Sequence, residues 1–208
     1  MILIFNFEIH PTARIGYSIL LCKKLELHSN TKIRHLNFCK KIDKIVLKEY
    51  STIGSLNFIT GFSTGNNDFA LKNNHFIDNS DRKCELIVDI HSAITSRHFF
   101  DCNGGIYIGK FTIIAGLKSV FLTHSVDIYS SSQQAKPIII SDYCFVGTGS
   151  HILGGSCLPD YAVLSAGALL NKNYDKSYQI YGGVPAKPIK NLNGIDVAYF
   201  KRKEGFIH

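Results

Sequence analysis

The sequence predicts an all-β chain wound into a parallel β-helix of about seven triangular coils, and three observations predict it. Over residues 140–170 an aliphatic side chain recurs at every sixth position: Ile140, Val146, Ile152, Leu158, Leu164 and Leu170. Four residues after each of the first five stands a small one: Cys144, Ser150, Ser156, Ala162 and Ala168. The same beat returns earlier in the chain, interrupted by slips of two residues. An α-helix repeats every 3.6 residues and a lone strand every 2, so neither sustains a period of six. Three six-residue strands fill one turn of about eighteen residues. Stacked turns pair at about 4.8 Å, so about seven coils make a prism on the order of 34 Å long.

The first block runs Ile9, Ile15, Leu21, Leu27, Ile33, Cys39 and Ile45, slips by two, and resumes at Ile53 and Ile59. Residues 60–85 (TGFSTGNNDFALKNNHFIDNSDRKCE) are rich in Asn and Asp and lack the beat, which predicts a loop thrown out of the prism. A second block reads Val88, Ile94, Phe100 and Ile106, slips, and continues Ile108, Ile114, Val120 and Val126. Residues 125–137 (SVDIYSSSQQAKP) follow His124 with a polar run unsuited to a coil interior, so a second loop is expected there. After the third block the tail over 182–208 is expected to close the fold. Within it, DVAYFKRKEGF (196–206) is expected to form a short helix over the open end, because a solenoid's terminal edge needs a cover.

Composition points to one domain over residues 1–208. With 45% hydrophobic content the chain can bury a core, and the repeat argues against dividing it. No stretch approaches eighteen consecutive apolar residues, and MILIFNF is too short for a secretory signal and lacks its basic flank. No integral membrane segment is expected, and a cytoplasmic location is. The six cysteines lack CxxC spacing, and Cys39 and Cys144 fall on inward positions, so they read as core thiols and not as a disulfide frame. A formal net charge of +7 suits nucleic acid, a membrane surface or a phosphate-bearing ligand. No nucleic-acid motif accompanies it, which favours the phosphates of a coenzyme.

Four stretches carry a family resemblance: IGKFTIIAG (108–116), LTHSVD (122–127), SDYCFVGTGSHILGGSCLPDYAVLSAGALLNK (141–172) and YGGVPAKPIK (181–190). Together they resemble the left-handed β-helix acyltransferases of the hexapeptide-repeat superfamily. The likeness points within it to the acetyl-CoA-dependent O-acetyltransferases, such as the maltose, galactoside, streptogramin and polysaccharide-cluster enzymes. It is strong over residues 86–190 and loose before them. Left-handedness is implied by this resemblance alone, since crossovers between parallel strands ordinarily turn the other way.

The resemblance implies acetyl transfer from acetyl-CoA to a carbohydrate hydroxyl by a homotrimer, with no metal and no nucleic-acid partner. A hydroxyl attacking a thioester needs a proton acceptor, and an imidazole with a pKa near 6.5 serves near neutral pH. His124, opening the second loop, matches the family's catalytic histidine. The developing oxyanion needs a backbone donor, and the matching stretch is Val146-Gly147-Thr148, with the Thr148 amide as donor. Gly147 and Thr148 are also implied at the coenzyme. Ala166 would let the pantetheine arm pass, while Lys172, Lys187 and Lys190 would meet the phosphates. ITSRHFFDCNGG (94–105) supplies Arg97, His98, Asp101 and Asn103 as acceptor-binding candidates, with spacing about two residues off that of the sugar acetyltransferases. His98 paired with Asp101 as a structural corner is the alternative.

Other chemistries share this scaffold. A zinc hydratase of the γ-carbonic anhydrase type needs three imidazoles on one ion, and no second histidine closely follows His124. A non-catalytic scaffold, N-acetylation of an amino sugar nucleotide and antibiotic acetylation remain as alternatives, and no residue selects the acceptor.

Overall fold

A computed structural model describes residues 6–64, 76 and 81–205. The chain is a left-handed parallel β-helix of seven coils around three faces, with Ile19–Leu27 and Phe38–Leu47 each bending across two of them and Gln179–Gly182 adding an eighth parallel strand to the second face. Inward positions on the first face run Ile9, Leu27, Leu47, Val88, Ile108, Ile140 and Leu158 in successive register. The second face stacks Ile15, Ile33, Ile53, Ile94, Ile114, Val146, Leu164 and Tyr181. The third stacks Leu20, Cys39, Ile59, Phe100, Phe121, Ile152 and Leu170. Ile140, Val146, Ile152, Leu158, Leu164 and Leu170 are all completely buried, each contributing roughly 1.5–3 kcal/mol of gross burial energy. The small residues between them are buried at the corners, where the triangle is narrowest. There Ser150 Oγ donates to the Gly147 carbonyl (2.8 Å) and Ser156 Oγ to the Leu170 carbonyl (3.1 Å).

The beat departs from expectation in three places. Ile9 and Ile15 hold their register but are 43% and 42% exposed, because among the described residues no coil packs beneath the first. Leu20, opposite Cys39, takes the inward position in place of Leu21, which pairs with Lys40 and is 47% exposed, and a bulge follows between Leu21 and Cys22. Ile45 and Leu47 are both buried, so the slip there is a longer strand, Phe38–Leu47, that bends around the corner from the third face into the first. Phe121, not Val120, points inward on the fifth coil, and Val126 is exposed on a hairpin outside the prism.

The tail differs as well. Lys187–Asn191 pairs antiparallel with Gln179–Gly182 and so ends the second face. The following turn, a 3-10 helix over Ala198–Lys201, does not cover the open end. It runs back along the corner between the first and second faces, over a stack of rings: Tyr50, His91, Phe111, Tyr143, Tyr161 and Tyr178, with centroids 4.7–5.1 Å apart. Phe200 meets Tyr161 and Tyr178 edge-on, the Tyr199 hydroxyl donates to the Cys144 carbonyl (2.7 Å), and Arg202 donates to the Phe111 carbonyl. Phe206 lies outside the described residues. All six cysteines are free thiols, and all but Cys157 are buried.

Candidate active site

Both excursions leave the prism at one corner, where the third face passes into the first. Residues 61–84 join Phe58–Thr60 to Glu85–Val88, and residues 123–137 join Val120–Leu122 to Ile138–Ile140. Of the first, 65–75 and 77–80 lie outside the described residues. The second is a hairpin, His124–Asp127 paired with Ser132–Ala135. Between them the intervening coil turns tightly through residues 102–105. Gly104 permits this, since a Cβ there would stand 2.7 Å from the Lys136 amide nitrogen of the returning hairpin. A small second core of Phe76, Ala135 and the partly buried Phe62 ties the two excursions together.

His124 stands at this junction as the first hairpin residue, its side chain 37% exposed. Its Nδ1 is bonded to Oδ2 of Asp101, whose carboxylate is 3% exposed. The other carboxylate oxygen, Oδ1, accepts from the Asn103 amide nitrogen (3.1 Å) and from Asn103 Nδ2 (2.5 Å). Thr123 Oγ1 donates to the Asp101 carbonyl (2.7 Å) and accepts from the Gly104 amide (2.8 Å). Asn103 Oδ1 accepts from the Phe62 amide (2.7 Å), which anchors the first excursion to the same network. Arg82 donates to the carbonyls of Phe62 and Asn103 and lies 4.3 Å above the Phe76 ring, which meets His124 edge-on. The hydrogen bond that Nδ1–H donates to Asp101 raises the His124 pKa above its ordinary value, against burial and the nearby Arg82. Among the described residues Nε2 has no hydrogen-bond partner, so the imidazole is oriented through Nδ1 and open at Nε2. This geometry suits a general base.

The other sequence-derived candidates fall into separate groups. Asp101 and Asn103 are buried beneath His124, where Asp101 holds the imidazole and Asn103 holds the carboxylate. His98 is also buried and does not touch Asp101. It belongs to a polar ladder inside the opposite corner with Asn37, Asn57 and Ser119. Its Nδ1 accepts from the Ser119 amide (3.1 Å), its Nε2 pairs with Thr95 Oγ1 (2.8 Å), and burial pushes its pKa down to about 4. Arg97 is exposed on that same opposite corner, away from Asp101.

Thr148 and Ala166, eighteen residues apart, also stack at the corner between the second and third faces, and the Gly182-Gly183-Val184-Pro185 turn continues their column. Thr148 and Ala166 are exposed, and their amides have no partner among the described residues. Gly147 is different: its amide is spent on the Leu164 carbonyl (2.8 Å), and a Cβ would lie 2.8 Å from the Ala166 Cα. Its lack of a side chain serves coil packing and leaves no donor for a coenzyme. Lys187 follows the column and Lys190 lies three residues beyond it, whereas Lys172 sits on the His124 side over the Tyr174 ring. Within the chain the three lysines are therefore not brought together.

Among the described residues no group of three or more His, Cys, Asp or Glu side chains converges as a metal-ligand set. No helix there is long and apolar enough to cross a membrane.

The comparison that decides the fold is with the polysialic acid O-acetyltransferase OatWY, which superimposes with a TM-score of 0.68 over 90% of this chain and 85% of that one, at 17% identity. The chain shares the fold of that enzyme. A hexapeptide-repeat acetyltransferase from Vibrio cholerae covers 51% of this chain and 62% of its own, at 24% identity and a TM-score of 0.49. A 2,3,4,5-tetrahydropyridine-2,6-dicarboxylate N-succinyltransferase of Rickettsia akari is 40% identical over 58 residues, 26% of this chain. The match spans only 21% of that relative's length. No family model matches the chain. The sequence placed His124 at the opening of a loop, and the structure has it at a loop-bearing corner. It missed Phe76 and Arg82, which lie in an excursion without periodicity, and it missed the Asp101 contact, which spans 23 residues of sequence.

Proposed function

We propose that this protein is an acetyl-CoA-dependent O-acetyltransferase acting on a carbohydrate hydroxyl, with the cytoplasm as its place of work. The observation that carries the reading is the buried Asp101 carboxylate holding His124 by Nδ1 while Nε2 faces out between the two excursions. In this reading Nε2 accepts the acceptor's hydroxyl proton as the oxygen attacks the thioester carbonyl. The tetrahedral oxyanion is met by the Thr148 amide. Collapse expels the coenzyme thiolate, which takes the proton back from His124, so that the products are an O-acetyl ester and free coenzyme A. Ala166 would lie along the pantetheine arm, with Lys187 and Lys190 toward the phosphates.

His124 and Thr148 sit on opposite edges of the third face, on the order of 15 Å apart at about 3.3 Å per extended residue. They serve one reaction only if a second copy brings its Thr148 corner to the first copy's His124. A closed ring of three satisfies this for every site at once. An apolar row on the outside of the third face supports such an assembly: Ile19, Phe38, Phe58, Phe99 and Val120, with the three phenylalanines stacked at 5.1 and 5.6 Å. The hairpin tip, with Ile128 and Tyr129 81% and 96% exposed, supports it too.

The test is free-thiol release from acetyl-CoA with a panel of hydroxyl and amine acceptors, run beside light scattering for mass. Acceptor-dependent release to hydroxyls by a trimer is expected. Release with amines alone would favour N-acylation, the reading that the short match to an N-succinyltransferase supports. No release with any acceptor, from a folded monomer, would reject the proposal.

A further inference from the structure

The side of the prism opposite the His124 corner carries a feature the transfer chemistry does not use. A groove of about 1320 Å3 crosses the outer surface of the second face over the first four coils, walled at one edge by residues 203–205 of the tail. Arg14, Lys32, Arg34 and Lys203 line it, against one carboxylate, Glu204. The chain's charge is concentrated at this end: residues 1–48 hold nine Lys and Arg against three Asp and Glu.

The cations divide by face. Lys23, Lys24, Lys44 and Lys48 are each in an ion pair, with Asp43, Glu8 and Glu26, Glu26, and Asp89 respectively. Arg14, Lys32 and Arg34 are exposed and have no ion pair among the described residues. Arg14 and Lys32 are also direct cross-strand partners on adjacent coils, about 4.8 Å apart. Arg34 follows two residues after Lys32, on the same side of an extended chain. Like charges directly opposite one another destabilise a sheet. The Arg14–Lys32 pair therefore repels across the sheet, with Arg34 adding to the same positive field, and an anionic ligand would relieve that repulsion.

We propose that this groove binds an acidic polysaccharide, an extended polymer bearing one carboxylate per sugar, and so tethers the enzyme to its acceptor. This names the acceptor class and rests on the carbohydrate reading above. The remaining lining fits a sugar chain: the Thr52 and Ser55 hydroxyls have no partner among the described residues, and Ser96 Oγ, which accepts from the Ser55 amide (3.0 Å), can still donate. Single-stranded nucleic acid would need aromatic platforms on which bases stack. At the groove edge His91 is covered on both faces by Tyr50 and Phe111, at 4.7 and 5.0 Å, so Tyr50 alone presents an exposed ring face there, one platform where a strand of successive bases would need several. A tether of this kind raises the effective concentration of acceptor hydroxyls without touching the reacting atoms.

The experiment is fluorescence anisotropy of labelled polysialic acid and polygalacturonate with the full chain, without acyl donor, across a salt series. Neutral dextran and a single-stranded oligodeoxynucleotide serve as comparison probes. The wild-type protein is expected to bind at least one acidic glycan, with affinity falling as salt rises, and to ignore dextran. The R14Q/K32Q/R34Q variant, checked for an unchanged melting transition, is expected to bind on the order of tenfold more weakly and with a shallower salt dependence. K110Q/K118Q, which removes exposed cations outside the groove, and H124A should bind as wild type does. Glycan binding that persists when transfer fails would separate this inference from the transferase reading. No binding of either acidic glycan by folded wild-type protein, unchanged affinity in the triple variant, or tighter binding of the oligodeoxynucleotide would overturn it.

Discussion

Replacing Asp101 by Asn tests the dyad with a change of one atom. Oδ1 of Asp101 accepts two hydrogen bonds from Asn103, at 3.1 and 2.5 Å, so an Asn here must turn its carbonyl oxygen toward those donors. Its NH2 group then replaces Oδ2 against Nδ1 of His124 and donates where the carboxylate accepted. The imidazole is left with its proton on Nε2, which is the wrong tautomer for a base. Losing an oriented base costs about 10²–10⁴ in turnover, or about 2.7–5.5 kcal/mol of transition-state energy.

The pH profile gives an independent reading of the same bond. Asp101 raises the His124 pKa, so in the wild type the neutral base appears only as pH climbs past a value above 6.5. In D101N that limb should move to lower pH even as the plateau drops. The pair's stability follows the same sign. It is fully present below the unfolded pKa of about 6.5 and lost as pH rises through the raised folded value, and D101N should flatten that dependence. Steady-state thiol release from pH 5 to 9 and melting curves over the same range supply both readouts. Wild-type turnover with an unmoved acid limb would refute the assignment of Asp101 as the positioning residue.

Three further outcomes are expected. H124A should lose two or more orders of magnitude in turnover while binding coenzyme A as tightly as wild type, read by calorimetry. L164A removes a completely buried side chain from the second face and should cost about 2–5 kcal/mol in denaturant unfolding. F200A deletes the edge contacts with Tyr161 and Tyr178 that hold the tail to the ring stack. It should speed tryptic cleavage at Lys201, Arg202 and Lys203 with little change in thiol release.

The periodicity in residues 140–170 was fully legible because each sixth side chain must point inward wherever three short strands close a triangle, and all six aliphatics are buried. The rule weakened at Leu21, Val120 and Val126, where the open end, a register change and the hairpin override local spacing. The ring stack was also present in the sequence, since Tyr143 and Tyr161 stand eighteen residues apart. It escaped notice because those positions are corners, held at φ of +56°, and not strand faces. His98 read as a site candidate by proximity to Asp101, yet it faces the inside of another corner.

By itself the sequence determined the solenoid, its coil length and the two points where the chain leaves it, because burial in a narrow triangular core imposes a period that local spacing reveals. It also singled out His124 through the motifs on either side. Only the tertiary structure decided that Asp101 lies against that imidazole, that Phe62, Phe76 and Arg82 wall the same corner, and that Thr148 lies across the prism from it. The physical reason is that coiling turns residues about twenty apart into neighbours, while an excursion contributes contacts with no period by which to find them.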